Sequence, residues 1–292
     1  MQLIKFITEE LDGLILLFIL DYVLETKTRQ LMDLVDILVD LGRQLGTHQD
    51  RVVIFDEGFV AGKVDGHLVI SRPGARLANL DRGDLIHFNP APLLELLKAD
   101  QPKRQAEEET LAVSRLHEDA PMPGVDAFLV TDLLDRCGSR IVVQVQPVVI
   151  NQILASPRAR QFADRRITLS EVFNCGLATT LVPYADPGTT IAKEVRNKVN
   201  LWRDRARTDP KVILLQNNGM IVLGDSLEEV VESIEKMVRA AEVFVGASLL
   251  GGPQFLTVAN IGRATEYRRV VDIGGTSQPS VPQAVSSELA NS

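Results

Sequence analysis

Leu31, Leu34, Val35, Leu38, Leu41 and Leu45 recur at helical spacing, with Asp33, Asp36 and Asp40 on the intervening polar positions. The pattern predicts an amphipathic helix, with Thr28 as its N-cap and Gly46 as its stop. Short β-like runs follow at residues 51–55, 67–71 and 84–88, and Asp65-Gly66 between the first two is a hairpin signal. A short helix is expected over 90–97, a further helical stretch over 107–116, and a longer helix over 125–137. The run 141–145 (IVVQV) reads as a strand that ends at Gln146-Pro147, with a helix over 148–155 and Pro147 at its first turn. Residues 179–183 read as a strand and 190–206 as a helix. Residues 211–216 and 220–223 then read as two strands about an Asn217-Asn218-Gly219 turn. Ser226 caps a long helix over 227–249, whose first turn is acidic as the helix dipole prefers, and which stops at Gly251-Gly252-Pro253.

Strands and helices interleave without a strict βαβ rhythm. The expected fold is α/β: a single three-layer α/β/α domain with a central mixed or antiparallel sheet. The domain is placed at 28–273, with a charged, proline-bearing insertion at 98–123. It follows an apolar extension at 1–27 and precedes a Ser, Gly, Gln and Pro-rich tail at 274–292, expected to be disordered. No G-x-G-x-x-G follows a strand, so a dinucleotide site has no support.

Composition narrows the partners. Of 292 residues, 31 are basic and 39 acidic, a net charge of −8, which argues against a nucleic-acid partner. The apolar run at 14–20 is far short of the ~20 residues that span a bilayer. Only Lys5 is basic before a cluster of acidic residues, so a signal peptide is not expected either. The expectation is a cytoplasmic chain without a membrane segment. The two cysteines, Cys137 and Cys175, form no CxxC and read as buried free thiols.

Three segments, in order, resemble the class II aldolase/adducin family, in its rhamnulose-phosphate aldolase-like branch. They are residues 142–156 (VVQVQPVVINQILAS), 183–192 (PYADPGTTIA) and 212–226 (VILLQNNGMIVLGDS) with the LLGGP that follows the long helix. The resemblance implies the class II aldolase fold and an ancestral chemistry of zinc-assisted retro-aldol cleavage of sugar phosphates. In that chemistry a three-histidine zinc ion serves as Lewis acid and a helix-borne carboxylate moves the proton. Carried over position by position, the His-x-His pair falls on Gln144 and Gln146 and the histidine of the Asn-His-Gly turn on Asn218. The glutamate falls on Asp126, and an occasional further histidine on Val130.

All three metal positions are thus carboxamides, whose neutral oxygens bind zinc far less well than imidazole nitrogen does. The four histidines, His48, His67, His87 and His117, all precede these segments and share no His-x-His spacing. Each reads as a surface or turn residue. The family's Gly-Asn-x-Ser phosphate turn falls on Gly58-Phe59-Val60-Ala61, and a second turn on Ser71-Arg72-Pro73-Gly74. A Ser-Ser pair falls on Pro123-Gly124. Only Arg72 keeps a group for an anion.

The expectation is a pseudoenzyme: adducin-like, without cofactor or zinc, with a binding, scaffold or regulatory role. Its site residues would be Gln144, Gln146, Asn217, Asn218, Gly219 and Arg72 for a small polyol or sugar, with Asp126 as the remaining catalytic candidate. The alternative is an active carbohydrate or carbohydrate-phosphate lyase or isomerase that uses Asp126 without metal. Lys63 and Lys193 lie on matching segments but not at carried-over positions. A third reading is a subunit that completes a site on another chain. The resemblance further implies a homo-oligomer, with the family's tetramer as the template.

Overall fold

The computed structural model describes residues 33–47, 52–53, 57–64 and 66–272. The apolar run at 14–20, the Thr28 cap, most of the 51–55 run and the tail after Gly274 lie outside the described residues.

Helix α1 (Leu34–Thr47) turns Leu34, Val35, Leu38, Leu41 and Leu45 inward, as the spacing predicts. Strands β1 (Gly58–Val64), β2 (His67–Ser71) and β3 (Leu85–Phe88) form an antiparallel meander. Two short helices, α2 (Ala91–Leu96) and α3 (Arg104–Ser114), lead to α4 (Asp126–Arg136) and to β4 (Ile141–Val145). Then come α5 (Val148–Leu154), α6 (Ala159–Asp164), α7 (Leu169–Cys175) and β5 (Thr180–Val182). The chain continues through α8 (Thr189–Ala206), β6 (Val212–Leu215), β7 (Met220–Gly224), α9 (Leu227–Leu249) and α10 (Val258–Asp272).

The seven strands make one sheet in the order β3-β2-β1-β4-β7-β6-β5. All neighbours are antiparallel except β5 and β6, which α8 connects in parallel. The sheet is therefore mixed. Alternating side chains divide the core into two layers. Val60, Val69, Val143, Val145, Leu214 and Val222 pack with α1, α5, α6 and α9 on one face. Phe59, Ile70, Phe88, Val142, Ile213 and Ile221 pack with α2, α4 and α8 on the other. This is the three-layer α/β/α arrangement expected from the sequence.

Several elements differ from the expectation. The hairpin partner of β2 is β1, not the run at 51–55. Its sequence GFVAGKV is buried on both faces and broken by glycine, so it shows no period-two alternation. At Gly58 φ is +131°, and a Cβ would lie 2.5 Å from the Gln144 carbonyl. The four residues expected to form a phosphate turn thus begin a central strand beside β4. Pro147 is the N-cap of α5, with ψ 132°, and not its first helical residue. The segments 159–164 and 169–175 and the final helix α10 had no counterpart in the sequence reading. The first two are only six and seven residues long, too short for a helical period to stand out, and the apolar residues of α10 follow no such period. Among the described residues no helix is long and apolar enough to cross a membrane.

Candidate functional site

The carried-over segments converge at one end of the sheet. The register pairs Val145 with both Gly58 and Met220, so the end of β4, the start of β1 and the β6–β7 turn are adjacent. The Ser71–Gly74 turn reaches the same end, because Ser71 Oγ accepts from the Val60 amide at 3.3 Å. A Cβ on Gly124 would sit 2.9 Å from Pro73 Cγ, which brings the start of α4 against that turn. Val182 pairs with Leu215, so Pro183 and Tyr184 emerge here too.

The β6–β7 turn is set by backbone chemistry. Leu215 donates to Gly219 O at 2.9 Å and Asn218 donates to Leu215 O at 3.0 Å. Asn217 takes φ +59° and Gly219 φ +76°. Asparagine tolerates the left-handed region and glycine favours it. The Gly219 position is also sterically closed, since a Cβ would lie 2.3 Å from Val145 O.

Three carboxamides are tied into this turn. Gln144, 6% exposed, donates through Nε2 to Asn218 O at 3.2 Å. Asn151 on α5 accepts from the Gly219 amide at 2.8 Å through Oδ1 and donates through Nδ2 to Gln146 Oε1 at 3.3 Å. Asn151 escaped the sequence reading; its partners are non-local and no motif marks it. The Gln146 oxygen is thus engaged by Asn151. The Gln144 nitrogen is engaged by a carbonyl. Neutral amides held in this way do not fit a zinc ion, which takes imidazole, thiolate or carboxylate donors. Among the described residues no group of three or more His, Cys, Asp or Glu side chains could hold a metal ion.

Asp126 stands at the first turn of α4, half-buried, and forms no ion pair among the described residues. Burial raises its carboxyl above the usual aspartate range. Arg72 is paired through one nitrogen: its Nε donates to Asp84 Oδ1 at 2.6 Å, and its side chain is half-exposed. Lys193 is equally committed, with its ammonium donating to the carbonyls of Ala99 and Asp100. Lys63 lies on β1 opposite Leu68, away from the converging ends. Val130 is fully buried in the core of the α4 layer.

A cleft of about 780 Å³, which none of these carboxamides lines, lies at the start of α8 and is bounded by Asp100, Pro102, Tyr184, Asp186, Thr190 and Asn197. The segment expected to be an insertion forms one wall. It is fastened there by Glu107, whose Oε1 accepts from the Thr189 amide at 2.8 Å and from Thr189 Oγ1 at 2.5 Å. A carboxylate at the start of an 18-residue helix also meets the positive end of its dipole.

Residues 158–245 match the model of the family described as Class II Aldolase and Adducin N-terminal domain. No curated protein matches the chain by sequence. Solved structures do match it. The N-terminal class II aldolase domain of a conserved protein from Thermoplasma acidophilum is 22% identical, with TM-score 0.59, over 72% of this chain and 93% of that one. YgbL from Escherichia coli is 20% identical, with TM-score 0.58, over 79% and 96%. The L-fuculose-1-phosphate aldolase from Thermus thermophilus is 15% identical, with TM-score 0.53, over 76% and 98%. At these identities the likeness is one of fold. The chain has the class II aldolase fold, and within it residues 158–245 are similar to the class II aldolase and adducin N-terminal domain family.

Proposed function

We infer that this protein keeps the class II aldolase fold without the zinc-dependent aldol reaction, and that it acts as a binding, scaffold or regulatory protein. One observation carries the reading. Carboxamides stand at the positions that the resemblance assigns to the three metal ligands, and Gln144 and Gln146 are already engaged by Asn218 and Asn151. Without a Lewis acid, an enediolate at this place lacks its main source of stabilisation. The ligand class that such amides suit is a small neutral polyol or sugar, held by hydrogen bonds to hydroxyls. A cytoplasmic homo-oligomer is part of the same proposal, by analogy of fold alone.

The test pairs metal analysis of the purified chain with a retro-aldol assay on ketose phosphates, with and without added Zn²⁺. The expected result is no turnover in either condition. Zinc-dependent cleavage that falls on Gln144→Ala would overturn the reading. A second reading rests on Asp126. A half-buried carboxyl with raised proton affinity suits general-base work. Metal-independent lyase or isomerase turnover that Asp126→Asn abolishes would establish it.

A further inference from the structure

Two of the four histidines, separated by 20 positions in the chain, meet on neighbouring strands. His67 opens β2 and His87 lies in β3 opposite Val69, so the two are diagonal neighbours on one face of the antiparallel pair. His67 Nε2 and His87 Nδ1 are 2.8 Å apart, and the ring centroids are 5.0 Å apart with a tilt of 37°. Both rings are half-buried. The sequence reads each histidine as a surface or turn residue; the structure places these two on neighbouring strands, in contact. The pair sits at the Val64–His67 end of the hairpin, opposite the end where Gly58 and Ser71 join the carboxamide cluster.

Two neutral imidazoles in contact share one proton between facing nitrogens. Moving that proton to the other nitrogen of the ring that carries it leaves both facing nitrogens bare, with no net proton lost. Two nitrogen ligands at about 2.0–2.1 Å from one ion lie roughly 2.9 Å apart at a right angle and roughly 3.3 Å apart at the tetrahedral angle. The observed separation is within about 0.1 Å of the first and about 0.5 Å of the second, so binding needs little translation, only rotation of each ring to turn its lone pair from its partner to the ion. The strand backbones already hold the two rings together, so little ordering is needed on binding.

The geometry points to a transition-metal site at His67 Nε2 and His87 Nδ1, suited to a divalent ion with affinity for imidazole: Cu²⁺, Ni²⁺ or Zn²⁺. Among the described residues no third His, Cys, Asp or Glu completes the set, so water fills the remaining positions and the site is open. Affinity follows the order Cu²⁺ above Ni²⁺ and Zn²⁺. The site is separate from the carboxamide cluster and independent of the function proposed for it. Metal found in a purified sample would therefore say nothing about aldolase chemistry until its location is known.

The test is calorimetric titration of Ni²⁺ and Zn²⁺ into the tag-free, chelator-stripped full chain at pH 7.5, with circular dichroism to confirm that each variant is folded. One ion per chain is expected. Affinity should fall at least about tenfold in His67→Gln and in His87→Gln, the loss of a ligand costing no less than the loss of its supporting partner. Glutamine keeps hydrogen-bonding capacity and so preserves the strand contact. Binding should be unchanged in His117→Ala, on an exposed turn, and in Gln144→Ala. No uptake by the native chain, or uptake that survives both glutamine variants, overturns the site. Uptake that falls only in Gln144→Ala overturns both this site and the zinc-free reading of the carboxamides.

Discussion

Asn151 and Gly219 are separated by 68 positions in the chain but joined by a 2.8 Å hydrogen bond, from the Gly219 amide to the Asn151 carboxamide oxygen. With its nitrogen on Gln146, Asn151 couples helix α5 to the β6–β7 turn and to the end of β4 at once. The stability of this end of the sheet should therefore depend on one side chain. Asn151→Ala is expected to cost about 1–3 kcal/mol, since it leaves a partly buried amide without its acceptor. Asn151→Asp keeps the acceptor and loses only the donor, and should cost less. Urea denaturation of both variants measures the difference.

Gly219→Ala tests the turn directly. The residue has φ +76°, and its Cβ would lie 2.3 Å from Val145 O, a backbone atom that cannot move aside cheaply. A loss of roughly 2–4 kcal/mol is expected from left-handed strain and backbone displacement together. Gly246→Ala, on α9 with nothing near its Cβ, should be neutral or slightly stabilising and serves as the control. Thermal denaturation of the pair decides it.

Asp126 predicts a pH dependence with a definite sign. Burial raises its folded-state pKa above the ordinary value of 3.8. The folded state then binds the proton more tightly than the unfolded state. Its contribution to stability declines as pH rises from the unfolded pKa through the folded one, and stays low above it. Asp126→Asn removes the ionisation. The variant should be more stable than the native chain at pH 7, with the gap closing as pH falls toward 3.8. Chemical denaturation across this range measures the gap; a gap that widens on acidification would contradict the burial argument.

Much of this architecture is legible from local signals. Ser226, the acidic first turn and Gly251-Gly252-Pro253 bound α9 to the residue, because capping and dipole effects act within one turn. The strand Ile141–Val145 is likewise visible as an apolar run broken only by Gln144. What stays hidden is non-local. Strand β1 is buried on both faces and contains two glycines, so no period marks it. Asn151 is an ordinary helix residue until the fold brings Gly219 to it. His67 and His87 become a pair only through the register of β2 on β3, which nothing in their spacing encodes. Gln144 and Gln146 stand out in the sequence only through the resemblance, whereas the hydrogen bonds that occupy them required the structure.

Arg166 and Glu171 form an ion pair with side chains 0% and 1% exposed, at 3.4 Å. The guanidinium also donates to the carbonyls of Gly176 at 2.7 Å and Arg165 at 3.0 Å, and Glu171 Oε2 accepts from the Ile167 amide at 3.0 Å. The pair thus closes the segment from α6 to the start of β5. Burial disfavours both charged forms, and each charge offsets part of that cost for the other. Glu171→Gln leaves a buried cation with no counter-charge, and a loss of about 3–5 kcal/mol is expected. Arg166→Met leaves a buried carboxyl, which can take up a proton, so its loss should be smaller and should shrink on acidification. The double variant Arg166→Met, Glu171→Leu removes both charges and keeps apolar volume. It is expected to be more stable than Glu171→Gln despite carrying an additional substitution. A double variant no more stable than that single one in urea denaturation would show that the guanidinium's bonds to carbonyls, and not the balance of charge, hold this segment in place.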